Sequence, residues 1–330
     1  MRAIVVPRFG GPEVLELRDV AEPVLAADQV LVKIKYAGMT YGDVYQREGT
    51  YRGGKPIGEN EAALPIGGEG AGTIVAVGAD VRGLAVGDTV IYCETLGSYA
   101  ELVAVPAWRV IKIPADIDIR DAAAVFAQGV TAHYLAYDTG KLAPSMTCLV
   151  HAAAGGVGHV LVQLAKGLGA RVIATVGSPE KADFVKGLGA DKVILYRDTP
   201  FLPEVKAWTD GAGVDVVYDS IGQATIADSM KATKVRGLCV LYGNASGLVD
   251  TISPMDLAAA GSIYFTRPRL GHHVRNREEI QRRADDLFEG LRKGTLKVAL
   301  NKVFPLADVV EAHKLLGSRT ATGRILLEVA

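Results

Sequence analysis

The stretch Thr147–Gly158 reads T-C-L-V-H-A-A-A-G-G-V-G, in which a short apolar strand runs into alanines and glycines. The next residues, Val160–Leu168, have the apolar spacing of an amphipathic helix. Small residues in a strand-to-helix turn let the backbone approach a diphosphate, and the unpaired N–H groups of the first helical turn then point at the anion. A glycine-rich turn alone is a weak signal, but in this position it predicts a dinucleotide site.

A second predicted strand, Arg171–Val176, strengthens this prediction because it follows the helix at the spacing of a strand–helix–strand unit. It ends in Gly177-Ser178-Pro179-Glu180-Lys181, at the tip where such sites bind the adenosine ribose. NAD sites usually place an acid there, whereas the Ser178 hydroxyl and the Lys181 charge suit a 2′-phosphate. Glu180 carries the opposite charge, which would repel a phosphate. The sequence therefore favours NADPH over NADH without excluding NADH.

The composition predicts a globular protein with room for two domains, since the chain has 330 residues, of which 49% are hydrophobic and 22% charged. Its 36 basic and 37 acidic side chains balance, so charge favours neither nucleic acid nor an anionic membrane as a partner. The apolar run Met1–Val6 is too short for a signal peptide, and no apolar run is long enough to cross a bilayer. The 3 cysteines are widely spaced and form no disulfide or metal pattern. We therefore expect a cytoplasmic protein.

The order of the predicted elements indicates the architecture. The part up to about Pro114 has the apolar runs and alternation of strands at Ile4–Val6, Leu15–Leu17, Gln29–Ala37, Ala71–Val77 and Thr89–Tyr92. After a predicted helix, Ala122–Tyr137, six apolar strands follow at Thr147–His151, Arg171–Val176, Lys192–Leu195, Val214–Tyr218, Gly237–Tyr242 and Ser262–Thr266. Helical stretches between them include Glu180–Gly187 and Ala224–Thr233. This alternation predicts a doubly wound parallel sheet, followed by an amphipathic helix around Ile280–Leu291 and a last strand, Arg324–Val329.

Eight short motifs, spread over nearly the whole chain, add a further signal. They are Gly10-Gly11-Pro12-Glu13-Val14-Leu15, Gly42-Asp43-Val44-Tyr45 with Gly49-Thr50-Tyr51, Gly87-Asp88-Thr89-Val90, Gly129-Val130-Thr131-Ala132, His151–Gly158, Tyr218-Asp219-Ser220-Ile221-Gly222, Tyr242-Gly243-Asn244 and Thr266-Arg267-Pro268. In this order they resemble the zinc-free quinone oxidoreductase (zeta-crystallin-like) branch of the medium-chain dehydrogenase/reductase superfamily. The resemblance implies an α/β protein with a GroES-like β-rich catalytic domain (1–124 and 267–330) and a doubly wound Rossmann domain (125–266).

The resemblance also implies that no metal is bound. The zinc alcohol dehydrogenases of the superfamily polarise the substrate oxygen with a metal held by Cys and His. Where they have the Cys this chain has Thr40, and the His of their G-H-E-x-x-G motif is Gly68 here. No cluster of four closely spaced cysteines is present for a structural zinc. We therefore expect neither a catalytic nor a structural metal.

Without a metal, the acceptor must take hydride readily, as quinones and carbonyl-activated alkenes do, and the protein supplies chiefly orientation and a dry cleft. The resemblance places Tyr45 and Tyr51 along the acceptor site, where packing of a loop is the alternative role. Thr40 stands where the family usually has Asn, and its hydroxyl could donate to an acceptor oxygen. The loop Arg52–Glu61 is longer than expected for this branch. It is interpreted as a tolerated insertion, with a substrate-shaping lid as the alternative.

For the cofactor, the resemblance implies three groups of contacts. The diphosphate would meet Gly155, Gly156, Val157 and Gly158, and the 2′-phosphate would meet Ser178, Lys181 and Tyr196. The nicotinamide half would lie near Thr131, Ser220, Tyr242 and Asn244, with Arg319 reaching back to the cofactor. For Lys181, the alternative is a solvated lysine, which the helix dipole would disfavour in a first turn.

Two other functions remain open from the sequence. An alkenal/enone or enoyl-thioester reductase would be favoured if Arg267, Arg269, Arg275 and Arg277 formed a basic channel for a coenzyme phosphate, although a solvated loop also explains them. A nucleic-acid-binding or structural role has the same basic stretch as its only support, and that stretch lacks interleaved aromatic residues.

A homodimer is expected as well. The last strand of the parallel sheet, Ser262–Thr266, would leave a β-branched and aromatic edge that folded proteins normally cover. Relatives in the branch pair this edge across a two-fold axis.

Overall fold

The computed structural model describes residues 1–53, 55, 57–58 and 63–329. The chain divides into two compact units, one made of Met1–Val130 and the segment from Val274 onward, the other of Thr131–His273. Within the described ranges, no helix combines the length and the apolar character needed to span a membrane. Of the long loop after Tyr51, Gly54, Pro56, Glu59, Asn60 and Glu61 lie outside the described residues, so its interpretation as insertion or lid stays a prediction.

The strands of the described chain are β1 (Arg2–Val6), β2 (Glu16–Asp19), β3 (Gln29–Gly38), β4 (Leu64–Pro65), β5 (Glu69–Val77), β6 (Thr89–Cys93), β7 (Leu102–Pro106), β8 (Ile111–Lys112), β9 (Thr147–Val150), β10 (Arg171–Val176), β11 (Lys192–Leu195), β12 (Val214–Asp219), β13 (Thr233–Leu241), β14 (Tyr264–Thr266), β15 (Leu300–Pro305) and β16 (Arg324–Glu328). The α-helices are α1 (Tyr41–Arg47), α2 (Ile119–Tyr134), α3 (Gly156–Gly167), α4 (Pro179–Gly187), α5 (Phe201–Trp208), α6 (Ile226–Ala232), α7 (Pro254–Ala259), α8 (Arg277–Arg292) and α9 (Val309–Gly317). A π-helical turn, Leu135–Thr139, follows α2, and 3₁₀ turns lie at Pro12–Val14, Thr50–Arg52, Ala107–Arg109, Leu270–His272 and Leu306–Asp308.

The unit Thr131–His273 is built on the doubly wound sheet that the sequence predicts. Its six strands run in the order β11-β10-β9-β12-β13-β14, and every pairing is parallel. Carboxyl ends of parallel strands share one edge, so the loops after β9, β10 and β12 come together there. The fold class predicted from the alternation of strands and helices is confirmed.

Two strands of this sheet begin at a different residue than predicted, and each difference has a local cause, while the ends of β9, β12 and β13 differ from the prediction by one residue. β13 begins at Thr233 rather than Gly237, because Thr233 already pairs with Val214 and an irregularity in register follows before the regular ladder resumes. β14 begins at Tyr264 rather than Ser262, because Ser262 has a φ of +55° and cannot be part of an extended strand. β14 forms one edge of the sheet.

The other unit contains the β-rich part of the chain. Its larger sheet has the order β15-β16-β3-β5-β6-β8, with β7 also paired to β3, and a smaller sheet has the order β2-β1-β4. Apolar side chains of these strands alternate inward and form one core cluster, as the period of two along β3 illustrates with buried Val30, Val32 and Ile34. The strand β16 pairs with both β15 and β3. The larger sheet therefore combines β3, from the early part of the chain, with the last two strands.

Candidate functional site

The glycine-rich turn leads directly from β9 into α3. Gly155 is the N-cap of α3 in extended geometry, and its N–H donates to the carbonyl of Ala152 over 2.9 Å. Ala152 has a φ of +48°, a left-handed conformation that gives the chain its sharp change of direction. The first N–H groups of α3 have no partner further back in their own helix, so the turn offers donors to an anion.

Gly158 decides how tightly this turn closes. A Cβ at this position would lie 2.5 Å from the carbonyl oxygen of Ala152 and 2.8 Å from the Cα of Ala153. The helix can approach the turn only because residue 158 has no side chain. The resulting cradle fits the diphosphate contact implied for Gly155, Gly156, Val157 and Gly158.

The three residues predicted to bind the 2′-phosphate come together at the end of β10. Ser178 caps α4: its oxygen accepts from the N–H of Lys181 over 3.4 Å, and a hydrogen bond from Ser178 lowers the pKa of Glu180. A Cβ on Gly177 would lie 3.0 Å from the Tyr196 hydroxyl, so the ring covers the strand tip. Glu180 is thus directed to Ser178, and Lys181 is a half-buried residue of the same corner.

Arg197 is a residue of this corner that the sequence analysis missed. Its Nε would lie 3.4 Å from a Cβ on Gly177. Burial, and then the charge of Arg197, lower the pKa of Lys181. Two cations held near each other, one of them half-buried, fit a doubly charged anion. The sequence signal that could have identified Arg197 is its position directly after Tyr196, at the end of β11.

The loops after β12 and β13 hold the residues predicted near the nicotinamide half. Burial raises the pKa of the Tyr242 phenol, and a hydrogen bond from Ser220 partly opposes that shift. The Asn244 amide, with its oxygen and nitrogen oriented to satisfy both contacts, donates to the Gly243 carbonyl over 3.0 Å and accepts from Arg267 over 3.2 Å. Ser220, Tyr242 and Asn244 therefore lie on neighbouring loops at one sheet edge.

Thr131 and Arg319 are the other two residues predicted to contact the cofactor. Thr131 lies within α2, at the first position of the Thr131–His273 unit. Arg319 belongs to the other unit, is exposed and has a φ of +61°. The contacts predicted for both residues with the cofactor stay predictions.

The acceptor residues predicted from the sequence lie around the first helix of the β-rich unit. Thr40 is the N-cap of α1, Tyr45 lies within it and Tyr51 lies in the 3₁₀ turn after it. The rings of Tyr45 and Tyr51 meet edge to face with centroids 5.9 Å apart. A Cβ on Gly42 would lie 3.1 Å from the Thr40 hydroxyl and 3.7 Å from that of Tyr51. The fold thus brings Thr40, Tyr45 and Tyr51 together, with the Tyr51 ring exposed.

Asp43 links this group to the interior, and the sequence analysis did not identify it. Its Oδ2 accepts from the N–H of Thr40 over 2.7 Å, from the Thr40 hydroxyl over 3.1 Å and from the Tyr99 hydroxyl over 3.2 Å. Burial raises its pKa to about 6, and these hydrogen bonds oppose the rise. The Thr-x-x-Asp pattern at positions 40 and 43 is a helix-start signal that would have predicted α1. Because the Thr40 proton is directed to Asp43, the Thr40 oxygen faces other partners as an acceptor.

A buried ion pair beneath Thr40 was also missed. Arg324 on β16 pairs with Glu69 at the start of β5, and its Nη1 donates to the Met39 carbonyl over 2.7 Å. The Glu69 carboxylate also accepts from the N–H of Ala127 over 2.6 Å. The pair fixes the chain immediately before Thr40. Glu69 lies in a motif already examined for metal ligands, but nothing in the sequence indicated Arg324 as its partner.

The positions of the zinc ligands of related dehydrogenases are occupied here by residues that cannot bind a metal in the same way. Thr40 offers a hydroxyl already bonded to Asp43, and a Cβ on Gly68 would meet no atom within 4 Å. Across the described ranges, no group of three or more His, Cys, Asp or Glu side chains is arranged to hold a metal ion. Of the histidines, His133 stacks on Tyr137 and His273 on Tyr134, with centroids 4.3 and 4.0 Å apart.

The basic stretch that kept two other functions open makes contacts within the protein. Arg267 donates to the Pro268 carbonyl over 3.1 Å, Arg275 pairs with Glu279 at 2.9 Å, and Arg277 donates to the Ala107 carbonyl over 3.3 Å. These contacts support the interpretation of the stretch as a structural and solvated loop.

Comparison with known proteins agrees with this geometry. Residues 26–115 match the family model of the alcohol dehydrogenase GroES-like domain, and residues 156–289 match that of zinc-binding dehydrogenases. A quinone oxidoreductase of Pseudomonas aeruginosa is 40% identical over 321 residues, which is 97% of each chain, and a 2-haloacrylate reductase of a Burkholderia species is 38% identical over 98% of each. The structure of Escherichia coli quinone oxidoreductase complexed with NADPH superposes with a TM-score of 0.94 at 36% identity, covering 100% of both chains. The chain belongs to the quinone oxidoreductases of the medium-chain dehydrogenase/reductase superfamily.

Proposed function

We propose that this protein is an NADPH-dependent quinone oxidoreductase that transfers hydride to a quinone or a similar conjugated acceptor without a metal. The observation that carries the proposal is the pair of cations, Lys181 and Arg197, at the end of β10 beside the glycine-rich turn. A 2′-phosphate requires such charges and an NAD ribose does not. The E. coli relative complexed with NADPH supports the same cofactor.

The residues present fit this cofactor. The cradle closed by Gly158 would hold the diphosphate, the corner formed by Ser178, Lys181, Tyr196 and Arg197 would hold the 2′-phosphate, and Ser220, Tyr242 and Asn244 would orient the nicotinamide half. When bound, NADPH supplies the hydride. We assign these contacts to the Thr131–His273 unit and acceptor binding to the other unit.

The chain's own contribution to the reaction is orientation and control of water. Tyr45 and Tyr51 offer an apolar ring surface with a polar tip, which suits a flat conjugated acceptor. The Thr40 hydroxyl gives its proton to Asp43, so we assign it to holding the start of α1 beside the two rings and to accepting a hydrogen bond from the hydroxyl of the reduced acceptor. A hydroquinone anion is stable enough for water to protonate, so no side chain is required as an obligatory acid.

The decisive experiment compares acceptors and cofactors in one assay. We expect faster turnover of 1,4-benzoquinone than of a simple enone, and faster turnover with NADPH than with NADH. Turnover that survives exhaustive chelation would support the metal-free mechanism, whereas loss on chelation and recovery with zinc would contradict it. Equal or better use of NADH would contradict the cofactor assignment.

Reduction of an activated alkene is the second candidate, favoured by the full-length similarity to the 2-haloacrylate reductase. Both acceptors place developing negative charge on an oxygen conjugated to the carbon that receives hydride. Including 2-chloroacrylate in the same assay separates the two candidates. Preferential turnover of this substrate would show that an activated alkene, and not a quinone, is the acceptor, and the cofactor assignment would not change.

We also propose a homodimer formed through β14. This strand is a sheet edge, and its Tyr264 is 66% exposed. Nearby Val235 on β13 is 68% exposed, so apolar surface continues from the edge. Light scattering at micromolar concentration should give twice the chain mass, and Tyr264→Lys should shift it towards the monomer. A monomeric wild-type protein would contradict the proposal.

We also propose that the protein is located in the cytoplasm. Cys93, Cys148 and Cys239 are all buried free thiols. Unpaired cysteines fit a reducing compartment.

A further inference from the structure

Four polar side chains are buried beneath the glycine-rich turn, and the function proposed above uses none of them. His151 follows β9, Thr175 lies near the end of β10, Asp219 ends β12 and Ser229 lies in α6. Each is at most 1% exposed. Burying polar groups costs stability unless they are bonded to one another, so their arrangement requires a reason.

The four residues form one continuous chain of hydrogen bonds. Nδ1 of His151 lies 2.9 Å from the Thr175 hydroxyl, and its Nε2 lies 3.1 Å from that of Ser229. The Ser229 hydroxyl donates to Oδ2 of Asp219 over 2.7 Å. The chain crosses from β10 through β9 and α6 to β12.

The direction of each bond follows from Asp219. Its carboxylate accepts from the N–H groups of Ile221 and Gly222 over 2.8 and 3.0 Å, and also from the Thr225 hydroxyl. Every partner of the carboxylate is a donor, so Ser229 gives its single proton to Asp219 and must accept from His151. Nε2 of His151 therefore carries the proton, and Nδ1 accepts from Thr175.

This order rules out a nucleophilic triad. In such a triad, histidine removes the proton of serine and the carboxylate orients histidine. Here Ser229 is bonded to Asp219 and His151 donates to Ser229, which is the reverse. Burial lowers the pKa of His151 while the charge of Asp219 opposes the shift, and the ring of Phe201 packs edge to face at 4.7 Å, so the imidazole is held neutral.

The hydrogen-bonded chain ends on two loops of the proposed cofactor site. His151 immediately precedes the turn that begins at Ala152, and Asp219 holds the backbone of Ile221 and Gly222 just after Ser220. The Ile221 carbonyl in turn accepts from the N–H of Ser246 over 2.7 Å, in the loop after β13. One buried network thus joins the turn for the diphosphate to the loops for the nicotinamide half.

We propose that His151 is a positioning residue that couples these two loops, so that both are correctly spaced when a dinucleotide spans them. The inference rests on the proposed NADPH binding. His151 touches no cofactor atom; it acts through Ser229 and Asp219. Breaking the network should lower the affinity for a ligand that contacts both loops and spare a ligand that contacts only one of them.

Isothermal titration with two ligands provides the test. NADPH spans both loops, whereas adenosine 2′,5′-bisphosphate is only the adenosine half of the cofactor: its 5′-phosphate can reach the glycine-rich turn, but it has no group that reaches the loops after β12 and β13. For His151→Gln and for Ser229→Ala, we expect NADPH to bind about tenfold more weakly and the bisphosphate to bind within about twofold of wild type. Val205→Ala is the matched control: it truncates a buried side chain of α5 in the same core, and should leave the ratio of the two affinities unchanged.

The outcomes separate this inference from the proposed function. A wild-type protein that does not bind NADPH would overturn both. If wild type binds NADPH and both variants keep the wild-type ratio, only the coupling role is wrong. If His151→Gln does not fold, Ser229→Ala decides. Nitrogen-15 NMR of labelled histidine should show the Nε2–H tautomer of His151, and an Nδ1–H tautomer would overturn the direction of the network.

Discussion

Arg324 and Glu69 form an ion pair whose two side chains are 0% and 2% exposed. Burial lowers the pKa of Arg324 to about 10, and the charge of Asp43 opposes the shift. A Cβ on Gly38 would lie 2.0 Å from both charged groups, so the glycine is required for the pair to form beside β3. The pair joins β16 and β5 to the segment that ends in Thr40, and we infer that it keeps this part of the acceptor site rigid.

Replacing Arg324 by Met should lower the free energy of unfolding by about 3–5 kcal/mol, because the Glu69 carboxylate would stay buried without its cation. The double variant Arg324→Met with Glu69→Leu should regain much of that loss, since no charge is left unpaired. Urea unfolding measures both. Arg292→Met, which removes an exposed pair with Asp116, is the control and should have a far smaller effect. Additive effects of the two buried substitutions would contradict the prediction.

Replacing Lys181 by Ala should weaken NADPH binding by about 1.5–3 kcal/mol, the usual loss for a charge-assisted contact, and change NADH binding little. Arg197→Ala should act in the same direction because the two cations share one corner. Nicotinamide fluorescence titration gives both affinities. Lys186→Ala, an exposed lysine of the same helix, is the matched control. If NADH binding weakens as much as NADPH binding, Lys181 does not recognise the 2′-phosphate.

Replacing Tyr45 or Tyr51 by Phe should lower quinone turnover by about tenfold or less, because a hydroquinone anion needs only a partial hydrogen bond from a phenol. With an enone the same variants should lose more, since an enolate is the stronger base. Ala at either position should chiefly raise KM, through lost packing against the acceptor ring. Steady-state kinetics on both acceptors checks this. Complete loss of quinone turnover with NADPH binding intact would show that a tyrosine is an obligatory acid.

The buried His313 should make the protein less stable in acid. Burial, and then the charge of Arg47, lower the pKa of His313 to about 3, and Nη1 of Arg47 donates to its Nδ1 over 3.1 Å. Below pH 6.5 this histidine therefore binds a proton in the unfolded chain but not in the folded protein. The free energy of unfolding consequently decreases as the pH falls from 6.5 towards 3. Asp43 acts oppositely: its folded pKa of about 6 exceeds the unfolded value, so its contribution is lost as the pH rises.

Comparing wild type with His313→Gln isolates the histidine, because Asp43 is common to both. Between pH 6 and 4 the stability of wild type should fall more steeply than that of the variant, by about 1.4 kcal/mol per pH unit. Unfolding in urea at each pH gives the two slopes. Parallel slopes would mean that His313 is protonated in the folded protein as readily as in the unfolded chain.

Much of the nucleotide-binding architecture was predictable from local pattern. β10 and β11 have the predicted boundaries, and the turn before α3 has the predicted form, because apolar strands and small-residue turns leave signals within a dozen residues. α1 was missed although its capping pattern was present, since the flanking β signals outweighed a helix of seven residues. β7 was missed in the same β-rich part.

The sequence by itself determined the doubly wound sheet and which residues stand at its strand ends, because these depend on order and periodicity, and its eight motifs carried the resemblance to the family. Only the tertiary structure decided which polar groups share one buried site. Arg324 meets Glu69 across 255 positions of sequence, and His151 meets Ser229 across 78. No local pattern records such a pair, because its energy arises from mutual burial that exists only once the sheets have assembled.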